Sequence, residues 1–413
     1  MDDTDSKQGM CTTYLAAVLA ERLERFGVHG YPRLVRLNPN IKYKTRGNAA
    51  LCIILEHGPV DEIERIVVRA VEEYGRFEDE NTNPGVVIHE GVVPEEARSF
   101  ALRVVRDVVD IEEAAEIARR NGMRVHRFKN GRGIIGALAS IGLEMYDYTY
   151  ELLAYRMQES LENPRYLDKE SVYAMDAATY PDTWDNVDLR NKVIVFSPHT
   201  PDPVLYGIRG KSPDVLLKAR EMLRTEPVER SQIFITNQGT DMHLLDAKIA
   251  EAQDDRSYVL NGFVIDRPRT IEGGHVFFRI EQEGEAIECA AFEPTKNFRE
   301  TVKMLIKGDE VRVYGSVKDN TMNLEKLEVV RLAEDYSRVP PKCPECGKSM
   351  ESVGKDKGYR CRKCGTRQAV PLYQKVDRSL EPGLYEVPPS ARRHLAKQII
   401  RIKEPWCEMH PSR

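Results

Sequence analysis

Two Cys-x-x-Cys pairs constrain the fold of this chain more than any other feature of its sequence. They read CPEC and CRKC, and 14 residues separate them. Two thiolates on one tight turn reach the same ion at about 2.3 Å, and two such turns complete a tetrahedral site. Four thiolates leave no open coordination position, so we predict a structural zinc site in a zinc ribbon. The predicted ligands are Cys343, Cys346, Cys361 and Cys364.

The predicted ribbon is rich in cations, which are Lys348, Lys355, Lys357, Arg360, Arg362, Lys363 and Arg367. Such a surface suits the phosphate backbone of a nucleic acid, and a solvated charged face is the open alternative. The remaining cysteines are scattered and are interpreted as small buried apolar residues or idle thiols. They are Cys11, Cys52, Cys289 and Cys407.

The length and composition indicate a globular protein with several domains. Its 413 residues exceed what one hydrophobic core usually supports, so we expect two to four domains. Hydrophobic residues make up 41% and charged residues 31%, as in ordinary globular proteins. No apolar run approaches the roughly 20 residues that span a bilayer, and the first residues lack the order of a signal peptide. We therefore expect a cytoplasmic protein that does not enter a membrane.

Charge is distributed unevenly along the chain. Residues 337–413 contain 17 Lys and Arg against 8 Asp and Glu, which is a formal charge of +9. Because the whole chain carries −5, the first 336 residues carry −14. A basic part joined to an acidic body indicates that a polyanion is bound at one end and that chemistry occurs at the other.

The spacing of apolar residues predicts a multidomain α+β fold. Helices are predicted in 11–26, ending at Gly27, and in 59–76, while 180–192 is typical of a linker or long turn. From 193 a strand, a helix and a strand follow, as in half of a ferredoxin-like layer. Residues 256–334 then contain five strand candidates with one helix between the third and fourth. This is the order of an OB-fold β-barrel, which binds single strands on its face.

A glycine-rich segment, KNGRGIIGALAS, suggests a phosphate site. Gly131, Gly133 and Gly136 form a GxGxxG pattern, with Lys129 and Arg132 beside it. Backbone N–H groups of such a loop approach a phosphate at a helix N-terminus. Close packing of a helix explains the glycines equally well. The segment lacks the Lys-Ser/Thr of a P-loop, which excludes an ordinary Walker site.

Three carboxylates, Asp2, Asp3 and Asp5, precede the first helix. Phosphoryl transfer from ATP requires Mg²⁺ held by one or two carboxylates, so these side chains are candidate ligands. Thr12 lies at the start of the helix, where N–H groups favour a phosphate. A simple N-cap is the alternative role of Thr12, and an acidic tail is the alternative for the aspartates.

Several segments taken together resemble one known family. They are DDTDSKQGMCTTYLA, RLNPNIKYKTRGN, TNPG, GRGIIGALA, PVLYGIRG, TNQGTDMHL, IEGGHVFF, AAFEPTK, the predicted zinc ribbon and EPGLYEVPPSARRHL. The family is that of the archaeal agmatinylcytidine synthetases, which modify the wobble cytidine of an isoleucine tRNA with a CAU anticodon. The resemblance covers essentially the whole chain.

The resemblance implies an order of domains. They are a kinase-type α/β domain (1–190), a ferredoxin-like domain with the agmatine site (191–255), an RNA-binding OB-fold (256–336), a zinc ribbon (337–372) and a basic C-terminal tail (373–413). Interleaving of the first two domains is an open alternative.

The resemblance also implies a reaction. In the family ATP is cleaved to AMP and pyrophosphate, and the γ-phosphate activates the C2 carbonyl oxygen of cytosine, which the amine of agmatine then displaces. A stacked base is inaccessible, so the cytidine must flip into the pocket. The implied cofactors are ATP, Mg²⁺ and Zn²⁺, the implied partners are agmatine and the isoleucine tRNA, and no protein partner is expected.

The resemblance assigns roles to individual residues. Asp2, Asp3 and Asp5 correspond to the metal carboxylates and Thr12 to a threonine that becomes phosphorylated. The expected ATP-phosphate loop is Gly131, Arg132 and Gly133, with Lys129 beside it. Expected phosphate or nucleic-acid contacts are Lys44, Arg46, Arg392 and Arg393. For agmatine, Asp202 and Asp241 are guanidinium partners or else surface turn residues, and His243 is a proton acceptor or else a hydrogen-bonded core histidine.

Two points qualify the resemblance. Family members carry an apolar strand ending in Gly-Ile before the Asp-Asp-Thr-Asp string, where this sequence has Met1, so we expect weaker folding of the first domain or slower ATP cleavage if that strand is missing. A non-catalytic RNA-binding factor is the alternative function, because an OB-fold with a zinc ribbon is common in such proteins. A ligase with a covalent lysine is disfavoured, since no KxDG-like string is present.

Overall fold

The computed structural model describes residues 1–45, 47–354 and 357–413, so the predicted contacts Arg46 and Lys355 lie outside the described residues. The α-helices of the described part are Thr12–Arg22 (α1), Val60–Tyr74 (α2), Glu95–Arg106 (α3), Ile111–Arg120 (α4), Ile134–Gly142 (α5), Lys169–Thr179 (α6), Pro213–Glu221 (α7) and Phe298–Lys303 (α8). The first ten strands are Arg33–Arg36 (β1), Ala49–Cys52 (β2), Gly85–Ile88 (β3), Arg124–Arg127 (β4), Thr149–Arg156 (β5), Thr183–Trp184 (β6), Val187–Asp188 (β7), Val193–Ile194 (β8), Val204–Gly210 (β9) and Val228–Thr236 (β10). The later strands are Leu244–Asp246 (β11), Ser257–Val264 (β12), Arg269–Thr270 (β13), Val276–Gln282 (β14), Glu285–Ala291 (β15), Glu310–Lys318 (β16), Thr321–Arg331 (β17), Asp335–Val339 (β18), Glu351–Ser352 (β19), Tyr359–Arg360 (β20), Arg367–Gln368 (β21), Leu372–Val376 (β22), Gly383–Glu386 (β23) and Met409–His410 (β24).

A mixed sheet with the strand order β2-β1-β10-β5-β9-β6 forms the first part of the molecule. Successive side chains of a strand point to opposite faces, and β1 separates two cores in this way. Leu34 packs into a core with α1 and α2, whereas Val35 packs into a second core with α3, α4 and α5. The two helices predicted from apolar spacing, α1 and α2, are therefore confirmed; α2 buries one face, whereas α1 is buried on nearly all sides over residues 12–19.

A third apolar core covers the other end of this sheet. Side chains of α6 and α7 pack there on β5 and β9. The strand predicted to begin at residue 193 is only the short β8, and the long strand before α7 is β9. Strands from residues 33–52 and 149–236 thus share one sheet, which makes the two parts of the chain interleave.

The middle of the segment 180–192, predicted as a linker or long turn, is buried instead, over residues 183–188. Trp184, Asn186 and Asp188 are buried. The amide of Asn186 donates to Asp176 at 3.2 Å, and Asp188 accepts a hydrogen bond from Ser390 at 2.5 Å. Polar residues of this segment are buried because they have partners in distant parts of the chain, and local sequence carries no signal of those partners.

The five strands predicted in 256–334 close into a barrel. Strand β12 pairs with β14, β14 with β15, β15 with β17, β17 with β16, and β16 with β12 again. The predicted helix is α8, and it lies between the third and fourth barrel strands in sequence. A full circuit of pairing leaves no open edge in the barrel and confirms the predicted order.

The C-terminal residues contact both earlier parts. A three-stranded sheet, β19-β20-β21, forms the ribbon, and the antiparallel pair β18-β22 joins it to the barrel. The residues predicted as a basic tail are folded, since β23 pairs with β17 of the barrel. Leu395 is buried in the core formed by α3, α4 and α5, so this last segment connects the barrel to the first sheet.

Candidate active site

A cavity of about 1060 Å³ lies where the first sheet, the start of α1 and the start of α5 meet. It is lined by the aspartates at the beginning of the chain and by charged side chains from β1, β5 and β9. Residues far apart in sequence therefore meet around one space. Its volume is slightly above the usual range of about 300–1,000 Å³ for a ligand-binding site.

The aspartates are held by the backbone between β3 and α5. The N–H of Asp2 donates to the carbonyl of Gly85 at 3.1 Å, and the N–H of Gly85 donates back to Asp2 at 3.2 Å. Asp3 has a left-handed φ of 61°. Its Oδ2 atom accepts hydrogen bonds from Arg132 at 2.7 Å and from the N–H of Asn83 at 3.2 Å. Asp5 also lines the cavity.

Burial shifts the titration of two of these carboxyl groups. It raises the pKa of Asp3 to about 6, and the Arg132 guanidinium opposes that shift. The pKa of Asp2 is raised well above its ordinary value by burial and then by the negative charge of Asp3. Carboxylates crowded together in a poorly solvated site gain from a nearby cation.

Two glycines of the GxGxxG segment are explained by this close approach. A Cβ atom at Gly136 would lie 2.1 Å from the Oδ2 atom of Asp2, and one at Gly133 would lie 2.5 Å from the Asp2 carbonyl oxygen. Gly131 has a left-handed φ of 69°. The sequence left two explanations open for these glycines, and both apply. The short distances to Asp2 show close packing of the helix. The N-terminus of α5 is also accessible, because Arg132 and Gly133 line the cavity.

Lys129 points away from this site. Its ammonium group donates to the carbonyl oxygens of Phe77 at 3.3 Å and Asp79 at 2.5 Å, and it does not line the cavity. The cation that the structure places beside the aspartates is therefore Arg132.

Thr12 is the first residue of α1, is buried, and lines the cavity. Cys11, not Thr12, occupies the N-cap position of the helix. The hydroxyl of Thr12 accepts a hydrogen bond from the hydroxyl of Thr4 at 3.1 Å. A simple capping role is thus not what the structure shows for Thr12.

The cavity is also lined by charged residues that the sequence motifs did not predict. Arg209 donates to Glu151 at 3.2 Å and bonds to the Nδ1 atom of His394 at 2.7 Å. Arg36 lies 3.6 Å from Glu151, and Asp185 lies 3.7 Å from Arg209. A glutamate inside the apolar strand YELLAY and an arginine inside VLYGIRG were the available signals, since buried charges need partners.

His394 is uncharged at neutral pH in this environment. Burial lowers its pKa well below the ordinary value, and the charges of Arg36, Arg209 and Lys44 lower it further. Lys44 also lines the cavity and donates to the carbonyl of Pro39. Burial and the charge of Arg393 lower the pKa of Lys44.

The predicted agmatine residues are split between two places. Asp202 lines the cavity and accepts hydrogen bonds from the N–H of Val204 at 3.0 Å, from Arg165 at 3.4 Å and from Thr200. Asp241 lies outside it, paired with Lys326 of the barrel. His243 is fully buried, and its Nε2 atom lies 3.0 Å from Glu325. Of the two roles left open for His243, proton acceptor or hydrogen-bonded core histidine, the structure therefore shows the second.

The two arginines of the string SARRHL also differ. Arg392 is 3% exposed and pairs with Asp185 and, at 2.8 Å, with Glu386. The structure does not place it where a phosphate could reach it, because both carboxylates already enclose the guanidinium. Arg393 is 34% exposed and bonds to Asn40 at 3.1 Å.

The four ribbon cysteines converge. One sulfur atom from each of Cys343, Cys346, Cys361 and Cys364 lies within 4.8 Å of the others. Gly347 and Gly365 follow the second cysteine of each pair and have left-handed φ values of 70° and 78°. Each glycine N–H donates to the carbonyl of the first cysteine of its pair at 2.9 Å. This is the knuckle geometry that a four-thiolate zinc site requires.

Across the described residues, none of the helices is both long enough and apolar enough to cross a bilayer.

Models of protein families match most of the chain. A TiaS TCKD domain matches residues 1–130, a TiaS FLD domain 131–243, an OB-fold nucleic acid binding domain 258–330 and a TiaS C-terminal zinc ribbon domain 340–380. The multidomain fold class predicted from sequence is therefore confirmed.

Whole proteins and solved structures agree with these matches. The tRNA 2-agmatinylcytidine synthetase TiaS of Methanosarcina acetivorans is 49% identical, over 100% of this chain and 99% of its own length. The structure of TiaS in complex with its isoleucine tRNA and ATP has a TM-score of 0.93 and 48% identity, and covers 100% of this chain and 98% of that one. A complex of TiaS with the tRNA, AMPCPP and agmatine has a TM-score of 0.89 and 46% identity, with the same coverage. This chain belongs to the TiaS family of tRNA 2-agmatinylcytidine synthetases.

Proposed function

We propose that this chain joins agmatine to C2 of the wobble cytidine in the CAU anticodon of an isoleucine tRNA, in an ATP-dependent reaction. The modification changes the codon read from AUG to AUA. The relatives named above carry this activity in their names, and structures of TiaS contain the tRNA, ATP or its analogue, and agmatine. We also retain a cytoplasmic location as part of the proposal.

One observation carries the proposal for this chain. A single cavity of about 1060 Å³ is lined both by aspartates and a helix N-terminus and by paired charges. The reaction needs a nucleoside triphosphate and a flipped base in the same site. Such a site must offer contacts for phosphate and polar contacts for the base. A pure RNA-binding factor has no use for such an enclosed acidic site.

The part of the cavity lined by the three aspartates is the proposed phosphate site. The carboxylate oxygens of Asp2, Asp3 and Asp5 are the donor type that Mg²⁺ prefers, and the glycines at 133 and 136 leave space for Asp2. Bound Mg²⁺ would neutralise charge on the ATP phosphates. Arg132, held against Asp3 at 2.7 Å, presents a guanidinium to the same region, and the N–H groups at the start of α5 favour an anion. Gly131 shapes the loop, and Thr12 remains the proposed site of phosphorylation.

The chemistry proceeds in two transfers. The γ-phosphoryl group of ATP passes to the C2 oxygen of cytosine, and ADP departs as the γ-phosphorus–oxygen bond breaks; a separate cleavage between the α- and β-phosphates would yield the AMP that the resemblance implies. Phosphorylation turns the C2 oxygen from a poor leaving group into a good one. The amine of agmatine then attacks C2, and phosphate departs with that oxygen. Asp202 is the proposed guanidinium partner, because it is the member of the predicted agmatine set that lines the cavity.

We retain the domain division proposed from sequence and add that its first two domains contribute strands to one sheet. The kinase-type and ferredoxin-like parts, divided at residue 190, share a sheet, so each would contribute to one site. Zn²⁺ is the proposed occupant of the four-cysteine cluster.

The experiment is incubation of the protein with ATP, agmatine and a CAU-anticodon isoleucine transcript, followed by mass analysis of the nucleosides. We expect a cytidine whose mass rises by one agmatine less water. Asp3→Asn should abolish the gain, while Asp79→Asn, an exposed carboxylate that bonds to Asn81, should not. Binding of the transcript without any mass gain would instead support the non-catalytic RNA-binding factor.

A further inference from the structure

Three charged side chains of the first sheet line the cavity but have no role in the reaction as described above. They are Arg36 of β1, Glu151 of β5 and Arg209 of β9, and we call them the sheet cluster. Strand register places Glu151 opposite Arg209 on one side and opposite Phe234 on the other. Because opposed residues share a face of the sheet, the cluster lies on the face where Phe234 packs with α1. The cluster and the start of α1, with Thr12, therefore border the same space.

The carboxylate of Glu151 is held in place but keeps hydrogen-bonding capacity. Arg209 donates to its Oε1 atom at 3.2 Å, and Gln238 donates to its Oε2 atom at 2.5 Å. The Nη2 atom of Arg36 lies 3.6 Å from Oε2, which is beyond hydrogen-bond distance. Since a carboxylate accepts about four hydrogen bonds, Glu151 can still accept from a ligand.

The guanidinium of Arg36 has donors to spare. Its side chain is 13% exposed, and its Nε atom has no hydrogen-bond partner in the described part of the chain. A guanidinium carries five N–H groups, and leaving buried ones unpaired costs free energy. A ligand that accepts a hydrogen bond from Arg36 would therefore gain affinity.

Two glycines leave these polar groups uncovered. A Cβ atom at Gly207 would lie 3.1 Å from the Oε1 atom of Glu151, and one at Gly47 would lie 2.6 Å from the Nη1 atom of Arg36. Both glycines line the cavity. An acceptor and a donor are thus offered side by side to a molecule in the cavity.

The mixed charge of the cluster decides which substrate group fits it. Two guanidinium groups and one carboxylate sum to +1, which repels the dication agmatine. Asp185 lies 3.7 Å from Arg209, but it already pairs with Arg392. A phosphate group only accepts hydrogen bonds, and the carboxylate of Glu151 would repel it. The edge of a nucleobase is neutral and carries donors beside acceptors, which matches a carboxylate beside a guanidinium.

We propose that the sheet cluster reads the Watson–Crick edge of the flipped base and selects cytosine over uracil. The N4 amino group of cytosine donates to Glu151, and the ring N3 atom accepts from Arg36. The neighbouring O2 atom, which receives the phosphoryl group, stays free. Uracil reverses both groups, because its O4 accepts and its N3–H donates, so like groups would face each other. This inference rests on the proposed function, which supplies the flipped base.

The test measures base selectivity. Two fluorescent isoleucine transcripts, with cytidine or uridine at the wobble position, are titrated with the full chain in the absence of ATP. Selectivity is the ratio of the two dissociation constants, and we expect wild type to prefer cytidine by about tenfold or more. Glu151→Gln should reduce this preference to a few-fold or less, because an amide can donate to uracil O4 as well as accept from cytosine N4. Gly47→Ala should also reduce it, because the added methyl group covers Arg36 without removing a charge.

Glu226→Gln is the matched control for the loss of a buried carboxylate. Glu226 pairs at 2.6 Å with Arg156, which also lies on β5 and is buried, and neither residue lines the cavity. This variant should lose stability much as Glu151→Gln does, because each leaves a buried arginine without its carboxylate. It should keep the wild-type preference for cytidine, which a merely structural role of Glu151 would not predict.

The proposal is overturned if wild type shows no preference, if a folded Glu151→Gln keeps the full preference, or if Glu226→Gln loses it equally. Should Glu151→Gln fail to fold, unchanged selectivity of Gly47→Ala overturns it. Modification of the cytidine transcript by wild type is followed in parallel through nucleoside masses. A wild type that modifies the transcript, with unchanged selectivity in the variants, overturns the base reader alone. A wild type that binds the transcript and never modifies it overturns the proposed function.

Discussion

The zinc ribbon and the active-site cavity position reactive side chains in opposite ways. The ribbon takes its four thiolates from residues 343–364 alone, and its small buried core is Cys343, Met350, Tyr359 and Cys361. The cavity brings Asp3 to Arg132, and Arg209 to His394, from distant segments supported by three large apolar cores. The ribbon therefore depends on a bound metal for its fold, whereas the cavity depends on the packing of the whole sheet.

The largest effect should come from removing the metal. Chelation, or Cys361→Ser with Cys364→Ser, should unfold the ribbon, because structural zinc supplies about 10–16 kcal/mol in small metal-binding domains. Hydrogen exchange is the measurement: amides of residues 341–368 should lose protection while those of β5 and β10 keep it. Cys407→Ser, a half-buried cysteine outside the ribbon, is the matched control. Loss of protection in β5 would contradict the independence of the two regions.

The same contrast explains what the sequence could predict. The convergence of the four cysteines and the barrel order follow from local spacing and from the succession of elements, and the structure shows both. Asp2, Asp3 and Thr12 line the cavity together with Arg132, as the motifs suggested.

The sequence could not predict which distant residues form ion pairs and hydrogen bonds with each other. Asp185 lies in a segment that resembles a linker, yet it is buried because Arg392 pairs with it. Lys129 is adjacent to the phosphate loop in sequence but bonds to the carbonyl oxygens of Phe77 and Asp79. Short motifs identify residue types, whereas the direction of each side chain is set by packing against elements far away in the chain.

A second prediction tests the long-range assembly of the cavity. Gly136→Ala places a Cβ atom 2.1 Å from the Asp2 carboxylate, so Asp2 must move. We expect ATP cleavage to fall at least about a hundredfold, with roughly 1–3 kcal/mol of lost stability from overpacking. ATP turnover and urea denaturation measure the two effects.

Ala137→Gly is the control for Gly136→Ala. It weakens α5 at the next position, by about 1 kcal/mol or somewhat more, without touching Asp2. Equal loss of ATP cleavage in both variants would mean that helix stability, and not the position of Asp2, limits the reaction.

A third prediction concerns the junction between barrel and sheet. His243 and the charges of Arg393 and Lys326 lower the pKa of Glu325 from 4.5 to about 2, against the effect of burial. Since the folded-state pKa is depressed, this stabilisation is fully present above about pH 4.5 and is lost as the pH falls toward 2. Glu325→Gln should therefore cost roughly 2–3 kcal/mol at neutral pH, and the difference from wild type should shrink below pH 4.5. Urea denaturation at pH 7 and pH 4 measures it, and a constant difference would contradict the ion pair.

The smallest effect is expected at Arg393, the exposed member of the arginine pair. If its guanidinium contacts an RNA phosphate, Arg393→Gln should weaken transcript binding a few-fold and reduce the slope of log affinity against log salt by about 0.7–0.9, since one counterion fewer is released. Arg392→Gln, at the neighbouring buried position, should instead destabilise the fold and leave the slope unchanged, because Asp185 and Glu386 already neutralise that charge. Salt titrations of transcript affinity separate the two cases. An unchanged slope for Arg393→Gln would restrict Arg393 to its bonds with Asn40 and Glu325, and the phosphate contacts of this chain would then have to come from the ribbon and the barrel.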